Sequence, residues 1–353
     1  MKIPTESIGS IPRPAYLADA MRKYGEGAMS ASEFVAVQDK AVAETIAALE
    51  RTGSAVVTDG EQAKPSFATY PIAGIESLSP DGVIIPFADG HTRQLPSITE
   101  GPFRYRTYAD EYVTKARKHT TLPVKQPVIA ASALSLLYPA DGIDGYARDQ
   151  FLDDLVDEAA TDIRRCLDAG ADSVQLDFTE GRLSLKLDPS GELLRSFVAL
   201  NNRVLDRFTS QEQQRIGVHS CPGGDLDSPH SLDVDYTGLL PQLFRMRAGR
   251  FFVQLASEAD PDRALAVIAE SVKPTQRVYI GVVDPIDPVI ETPKLVRDRI
   301  LRAARAVPVD QLGSCDDCGF SPFADDTSTS RETAFAKIKA RVEGTRLAEA
   351  ELG

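Results

Sequence analysis

Eight short apolar runs, separated by longer amphipathic stretches, restrict this chain to a small group of folds. Each run is four to eight residues long, a length typical of β-strands buried within a sheet. The predicted strands are Ser7–Ile11, Ala55–Asp59, Val124–Ala131, Ser173–Asp177, Arg215–Cys221, Phe251–Leu255, Val278–Val283 and Gln311–Ser314.

The stretches between these runs repeat apolar residues at intervals of three and four, which predicts amphipathic helices. The predicted helices are Ser32–Thr52, Gln150–Ala169, Leu193–Phe208, Asp235–Arg247, Pro261–Val272, Pro293–Ala306 and Arg331–Leu347. Strands that alternate with helices predict an α/β fold, either a (β/α)8 TIM barrel or a doubly wound open sheet.

Polar residues gather where the predicted strands end, and this favours the barrel. Asp59, Asp177, His219, Gln254 and Cys318 each lie at or just beyond the carboxyl end of a run. In a barrel those ends share one mouth, where active sites are found. In an open sheet they would be spread along an edge.

Residues 62–104 interrupt the alternation of strands and helices. The segment contains the apolar run Val83–Pro86 and the pair Asp89-Gly90, which is typical of a hairpin turn. We expect a β-rich insertion after the second strand that covers part of the barrel mouth. The whole chain, residues 1–353, is then a single catalytic barrel domain.

Charge and hydrophobicity limit the binding partners and the cellular location that we expect for this chain. The net charge is −13 without clusters of Lys and Arg, which disfavours nucleic acid and anionic membranes as partners. No run reaches the roughly 18 apolar residues of a membrane span, and the N-terminus lacks the apolar core of a signal peptide. We therefore expect a cytoplasmic protein whose four cysteines are thiols or metal ligands.

Three scarce residues are candidate metal ligands. His219 and Cys221 are two residues apart at a strand end, so their side chains point to the same face. Zinc accepts such a mixed nitrogen and sulfur set, and catalytic zinc usually has three protein ligands, for which Cys318 is the natural third. A core histidine, a buried cysteine and a redox pair of Cys315 with Cys318 stay open as alternatives.

Five segments occur in the order of the motifs of a known family. They are Ser7–Pro14, Asp59-Gly60-Glu61, Val174–Asp177, His219-Ser220-Cys221 and Asp317-Cys318-Gly319. Together they resemble the C-terminal catalytic barrel of the cobalamin-independent methionine synthase family, over almost the whole chain. That family lies in a wider superfamily of barrels that includes uroporphyrinogen decarboxylase.

The resemblance implies zinc-dependent transfer of a methyl or alkyl group to a thiol such as homocysteine. It implies zinc held by His219, Cys221 and Cys318, and a substrate held by Ser10, Glu61 and Asp177, with Glu61 and Asp177 as catalytic candidates. Carboxylates suit the ammonium of an amino acid, and a hydroxyl with backbone N–H groups suits its carboxylate. Because zinc deprotonates a bound thiol, the sulfur becomes a nucleophile at neutral pH.

Three departures from the family pattern concern the metal and the alkyl donor. Gln254 stands where larger family members have a glutamate ligand, so Gln254, Glu258 or water is the expected fourth ligand. Ile286 replaces a histidine that is a candidate proton carrier, and no tryptophan is present to stack on a pterin, with Tyr138 in that region. The implied partners are therefore a small thiol acceptor and an alkyl donor, and the sequence leaves open whether the donor is a folate, a corrinoid, an epoxide or another compound. A homo-oligomer is compatible with the sequence.

Other reactions fit parts of the pattern. An epoxyalkane:coenzyme M transferase would need a cationic sulfonate pocket, for which Arg104 and Arg106 are candidates. A metal-free lyase or decarboxylase would use Asp177 and Arg182 on a carboxylated substrate. A non-catalytic module would bind zinc or a thiol without turnover.

Overall fold

The protein is described by a computed structural model that covers residues 2–353. Its strands, in chain order, are β1 (Thr5–Glu6), β2 (Leu78–Ser79), β3 (Ile84–Pro86), β4 (Thr92–Gln94), β5 (Ser97–Ile98), β6 (Lys125–Ile129), β7 (Ser173–Asp177), β8 (Ile216–Ser220), β9 (Gly224–Asp225), β10 (Ser228–Pro229), β11 (Arg250–Val253), β12 (Arg277–Val283) and β13 (Leu312–Asp316).

The helices pack outside the main sheet or connect its strands. They are α1 (Ala15–Gly25), α2 (Ala31–Arg51), α3 (Asp110–Ala116), α4 (Ala131–Leu134), α5 (Arg148–Asp168), α6 (Glu180–Leu187), α7 (Glu192–Leu205), α8 (Ser210–Gln213), α9 (Tyr236–Leu243), α10 (Pro261–Ser271), α11 (Pro293–Ala303) and α12 (Arg331–Leu352). All seven predicted helices are present, and their ends follow local signals. At the start of α2, for example, Ser30 and Glu33 form a reciprocal capping box.

Seven strands form one parallel sheet in the order β1-β13-β12-β11-β8-β7-β6. Each strand runs parallel to its neighbours, and β6, β7, β8 and β13 are buried along their whole length. Apolar runs with helices between them produce this arrangement because parallel strands need crossover connections and bury both faces.

The sheet curls until its two edge strands approach each other. Lys125 of β6 lies at one edge, and its Nζ is 3.5 Å from Oε2 of Glu6 in β1, at the other edge. Arg250 of β11 places Nη1 3.3 Å from the second oxygen of Glu6. Lys125 also donates to Oε1 of Gln175 in β7 at 2.9 Å. Side chains from four strands therefore meet inside the curl.

The second predicted strand, Ala55–Asp59, is wrong as a strand, since only Val57 pairs with the sheet, in a parallel bridge to Val124. Immediately after it the chain turns, with Gly60 and Glu61 both in the left-handed region at φ 67° and 56°. The first strand also pairs earlier than predicted, at Thr5–Glu6 instead of Ser7–Ile11. Beyond it the backbone bonds to loops, as where Ile11 N–H donates to Gly60 O at 3.0 Å.

The segment between Val57 and β6 carries two small antiparallel pairs, β2 with β5 and β3 with β4. The β3–β4 hairpin turns at Asp89-Gly90, and Gly90 supplies a φ of 95° there. No helix within residues 2–353 combines the length and the apolar character that a membrane crossing requires.

The final helix is attached to the sheet by a buried ion pair. Nε of Arg341 in α12 lies 3.1 Å from Oδ1 of Asp316 in β13, and its Nη2 donates to Oγ of Ser7 at 2.8 Å. Both residues of the pair are almost wholly inaccessible. Burial raises the pKa of Asp316, and Arg341 partly offsets that rise.

We predict that Arg341→Met destabilises the protein by about 3 kcal/mol at neutral pH, because it leaves Asp316 buried without its partner. The unpaired Asp316 carboxyl would have a folded pKa above its unfolded value. The loss should therefore shrink as the pH falls and Asp316 takes up a proton. Urea unfolding at pH 5 and pH 7.5 measures the change.

The double variant Arg341→Met/Asp316→Asn should recover much of the loss, since no charge is left unpaired. Lys339→Met, an exposed position on the same helix, is the matched control and should change little. Equal destabilisation by Arg341→Met at both pH values would contradict this account.

Candidate functional site

A cavity of about 330 Å³ opens at the carboxyl ends of the parallel strands. Five of the six residues singled out from the sequence line it: Ser10, Glu61, Asp177, His219 and Cys318. The sixth, Cys221, is fully buried beside them. The curl of the sheet accounts for this, because it brings the ends of β1, β7, β8 and β13 round one opening.

His219, Cys221 and Cys318 form a compact donor cluster. One ligand atom from each of the three residues can be chosen so that all lie within 4.8 Å of one another. The Sγ atoms of Cys221 and Cys318 are 3.0 Å apart, well beyond the roughly 2.05 Å of a disulfide. His219 comes from β8 and Cys221 follows that strand directly, whereas Cys318 follows β13.

Asp317 holds the loop that carries Cys318. Its Oδ1 accepts hydrogen bonds from the backbone N–H groups of Leu255 and Ala256, both at 2.9 Å, and its Oδ2 accepts from Ser257 N–H at 2.7 Å. Gly281 leaves space for this carboxylate, since a Cβ there would lie 1.7 Å from Oδ1. The loops after β11 and β13 are thus joined beside the donor cluster.

The donor atoms of the cluster fit a zinc ion. Both ring nitrogens of His219 are buried, and neither has a hydrogen-bond partner within residues 2–353, which is costly for an imidazole without a bound cation. The hydrogen bond with Cys221, and then the nearby His219, hold the pKa of the Cys318 thiol well below its ordinary value. One imidazole and two sulfurs are a ligand set that zinc accepts.

Glu258 does not join this cluster. The Arg182 guanidinium lies 3.1 Å from Glu258 Oε2 and also donates to Oε1 of Gln254 at 3.1 Å. Neither Gln254 nor Glu258 lines the cavity. An arginine therefore already binds the Glu258 carboxylate, and the fourth ligand stays a prediction among Gln254, Glu258 and water.

Ser10 lies under the loop that follows Cys318. Its Oγ accepts a hydrogen bond from Ser321 N–H at 3.2 Å, and its backbone O accepts from Phe320 N–H at 3.0 Å. A Cβ on Gly319 would lie 2.1 Å from Ser10 Oγ. Only glycine lets the segments that follow β1 and β13 approach each other this closely.

Glu61 already has a cationic partner. Lys64 Nζ donates to Glu61 Oε1 at 2.9 Å and to Pro127 O at 2.8 Å, and both side chains are almost wholly buried. No sequence pattern pointed to Lys64. Its ion pair balances the charge of Glu61, so Glu61 is less available to a substrate ammonium than its sequence position suggested.

Among the residues that the structure describes, none forms an ion pair of this kind with Asp177. Its Oδ1 accepts from Nε2 of Gln175 at 2.8 Å. Burial raises its pKa to about 7, although His219 acts in the opposite direction. Asp177 is therefore better placed than Glu61 to gain from a bound ammonium.

Glu180 is a cavity residue that was not among the predicted site residues. It begins α6, one turn beyond β7, and is 5% exposed. Its Oε1 accepts from Ser132, while its Oε2 has no hydrogen-bond partner within residues 2–353. Burial raises its pKa to about 8. The only sequence signal was an acidic residue shortly after a predicted strand.

The β3–β4 hairpin forms part of the cavity wall. Ile85, Phe87, Arg93 and Leu95 come from it. Arg93 joins the hairpin to two loops: its Nε lies 2.5 Å from Asp225 Oδ2, and its Nη1 lies 2.9 Å from Asp325 Oδ2.

The arginines proposed for other reactions lie elsewhere. Arg104 is half-exposed and pairs with Asp154 at 2.8 Å, Arg106 is exposed, and neither lines the cavity. Arg182 donates to the backbone oxygens of Leu232 and Val234 and lines a second cavity. Cys315 is buried and donates to Tyr279 O at 3.4 Å, outside the donor cluster.

Known proteins resemble this chain along almost its whole length. Methionine synthases of Saccharolobus solfataricus and Thermococcus kodakarensis are 20% and 22% identical to it. Each alignment covers 99% of this chain, and 96% and 94% of the respective relative.

Solved structures share its fold. One is a B12-independent methionine synthase from Shewanella sp. W3-18-1, whose structure was solved in complex with selenomethionine. It matches with a TM-score of 0.78 at 19% identity, and the match covers 100% of this chain and 99% of that one. A putative vitamin-B12-independent methionine synthase from Listeria monocytogenes matches with a TM-score of 0.74 at 21% identity over 100% and 99%.

The sequence profile described as "Cobalamin-independent synthase, Catalytic domain" matches residues 3–343. Together with the relatives of similar length, this match assigns the chain: it belongs to the cobalamin-independent synthase catalytic-domain family, the family of the methionine synthases.

Proposed function

We propose that this protein is a zinc-dependent transferase that moves a methyl or small alkyl group to the sulfur of homocysteine or a closely related thiol. The convergence of His219, Cys221 and Cys318 on one side of a cavity that also exposes Ser10 and Asp177 carries the proposal. The curled sheet is, in this proposal, the family's (β/α)8 barrel, with residues 62–104 as its insertion.

The ligand of a relative supports an amino-acid thiol as the acceptor. The Shewanella structure contains selenomethionine, the selenium analogue of the product that methylation of homocysteine would yield. In this chain Asp177 is suited to bind the ammonium of such an amino acid, and Ser10 with neighbouring backbone N–H groups is suited to its carboxylate.

In this proposal the side chains of the protein bind the metal ion and orient the substrate. His219, Cys221 and Cys318 would hold the zinc, and bound zinc makes a thiol substrate a thiolate at neutral pH. Asp177 fixes the amino end of the substrate, so that its sulfur has one orientation relative to the donor. The apolar walls, among them Phe67, Leu134 and Phe323, exclude water from the reacting atoms.

The alternatives receive less support. A coenzyme M substrate carries a sulfonate, yet Arg104 and Arg106 lie outside the cavity. A lyase that used Asp177 with Arg182 would need that arginine in the cavity, and Arg182 is engaged by Val234 and Glu258. The identity of the donor, the cytoplasmic location and any homo-oligomer stay predictions.

We predict about one zinc per purified chain, and loss of that zinc in Cys221→Ser and Cys318→Ser. The affinity should fall by more than the roughly 10- to 100-fold that follows from removing a group that only supports a ligand. Elemental analysis and chelator competition measure this. Cys315→Ser, three residues before Cys318 but outside the cluster, is the matched control and should keep its zinc.

We predict that added homocysteine places one further sulfur beside the zinc, which X-ray absorption at the zinc edge detects directly. Homoserine, which has a hydroxyl in place of the thiol, is the control and should leave the spectrum unchanged. A spectrum that homocysteine does not alter, at saturating concentration, would refute the role of the cluster in binding the thiol.

We predict that Asp177→Asn raises the KM for homocysteine by about 10- to 100-fold, because a charge-assisted contact with the ammonium is lost. The substitution should have little effect on 4-mercaptobutanoate, which has the same thiol and carboxylate but no amino group. Kinetics of both thiols with both proteins give the comparison. An equal loss with the two thiols would show that Asp177 acts in another way.

A further inference from the structure

The charged groups that line the cavity are mostly acidic. Glu61, Asp177, Glu180 and Asp325 all contribute to its lining. Two of these carboxylates have cationic partners in the protein: Lys64 pairs with Glu61, and Arg93 pairs with Asp325. Asp177 and Glu180 have none in the part of the chain that the structure describes.

The lining residues supply no spare positive charge to an anionic ligand. Arg93 places its nitrogens on Asp225 and Asp325 in four hydrogen bonds, and its guanidinium also stacks 4.4 Å from the centre of the Phe323 ring. Burial lowers the pKa of His230, a lining residue, to about 4, so it is neutral at physiological pH. A polyanionic donor would find no free counter-charge here.

Once they are ionised, Asp177 and Glu180 therefore call for two positive charges from ligands. If the proposed function holds, the ammonium of the thiol amino acid satisfies Asp177. That leaves Glu180, whose Oε2 is buried and unpartnered. Ser132 binds its other oxygen, and Asn201 donates to Ser132 Oγ at 2.7 Å, which fixes the carboxyl group at the wall.

The walls that complete the cavity suit a compact apolar cation. Phe67, Phe87, Leu134, Leu136, Leu183 and Phe323 line it. An onium ion, with positive charge spread over methyl groups, gains from apolar and aromatic contact and needs no hydrogen-bond acceptor. A buried carboxylate next to such walls is a favourable arrangement for it.

We propose that the donor of the methyl group is a small onium compound, a sulfonium or quaternary ammonium ion, which binds in this cavity against Glu180. This inference rests on the proposed function for the acceptor. It also accounts for Ile286 in place of a proton-carrying histidine, since a neutral leaving group needs no proton.

The reaction balances without a further reactant. With trimethylsulfonium, the thiol sulfur forms a bond to one methyl carbon as that carbon's bond to the sulfonium sulfur breaks. The bonding pair stays with the leaving group, which departs as neutral dimethyl sulfide. The thiol releases one proton to solvent, and this proton carries the positive charge that the donor brought.

Binding of choline and of its neutral isostere 3,3-dimethyl-1-butanol tests the charge preference by calorimetry, without turnover. At pH 9, where Glu180 is largely ionised, choline should bind to the unaltered protein at least about tenfold more tightly than the neutral isostere does. Glu180→Gln should remove that preference. Glu192→Gln, an exposed carboxylate on the neighbouring helix α7, is the matched control and should retain it. Equal binding of the two probes to the unaltered protein would overturn the proposal.

The pH dependence keeps the test decisive even if the variant fails to fold. Choline affinity should rise by about tenfold between pH 7 and pH 9 as Glu180 ionises. The groups that face Glu180 are Ser132 from α4, Asn201 through Ser132 from α7, and Asp177 from β7, whose charge adds to the rise of its pKa. An affinity that is constant over this range would contradict the assignment.

Turnover separates this inference from the proposed function. Homocysteine with trimethylsulfonium should release dimethyl sulfide, which gas chromatography detects, and Glu180→Gln should raise the KM for the sulfonium more than it lowers kcat. Zinc bound to homocysteine sulfur, without choline binding or dimethyl sulfide, would leave the proposed function standing and overturn the onium donor. Normal choline binding in Glu180→Gln with a lost kcat would make Glu180 an acid catalyst and equally overturn it.

Discussion

The rest of the structure depends on the meeting of the two edge strands across the interior of the curled sheet. Glu6 and Lys125, on strands at opposite ends of the sheet order, approach within 3.5 Å. Such a contact is impossible in a flat sheet, where seven strands spaced about 4.8 Å apart would hold them far apart. The curl bends a row of strand ends round a common space, and the cavity lies in that space.

Desolvation dominates the chemistry of the cavity. Within residues 2–353 the imidazole nitrogens of His219 have no hydrogen-bond partners. Burial also raises the pKa of two carboxyl groups round the same cavity, to about 7 for Asp177 and to about 8 for Glu180. Buried polar groups without partners are costly. A folded protein retains such groups where a ligand completes them. In the proposed function those ligands would all be cationic: a metal ion and positively charged small molecules.

The two halves of the cavity relate differently to the family. The side that carries Ser10, Asp177 and the His/Cys cluster keeps the pattern from which the resemblance was drawn. The other side consists of the β3–β4 hairpin, Glu180 and apolar side chains, and it lacks the aromatic platform and the histidine that the resemblance would supply.

The sequence by itself determined the parallel α/β architecture, the helices, and the pairing of His219 with Cys221. These follow from backbone periods that act within a few residues: two along a strand, 3.6 along a helix. Only the tertiary structure decided that Cys318 reaches the same point, that Lys64 balances Glu61, that Arg182 binds Glu258, and that Glu180 faces the cavity unpartnered. Those contacts join residues whose distance depends on the curl of the sheet and the course of its loops, which no local pattern encodes.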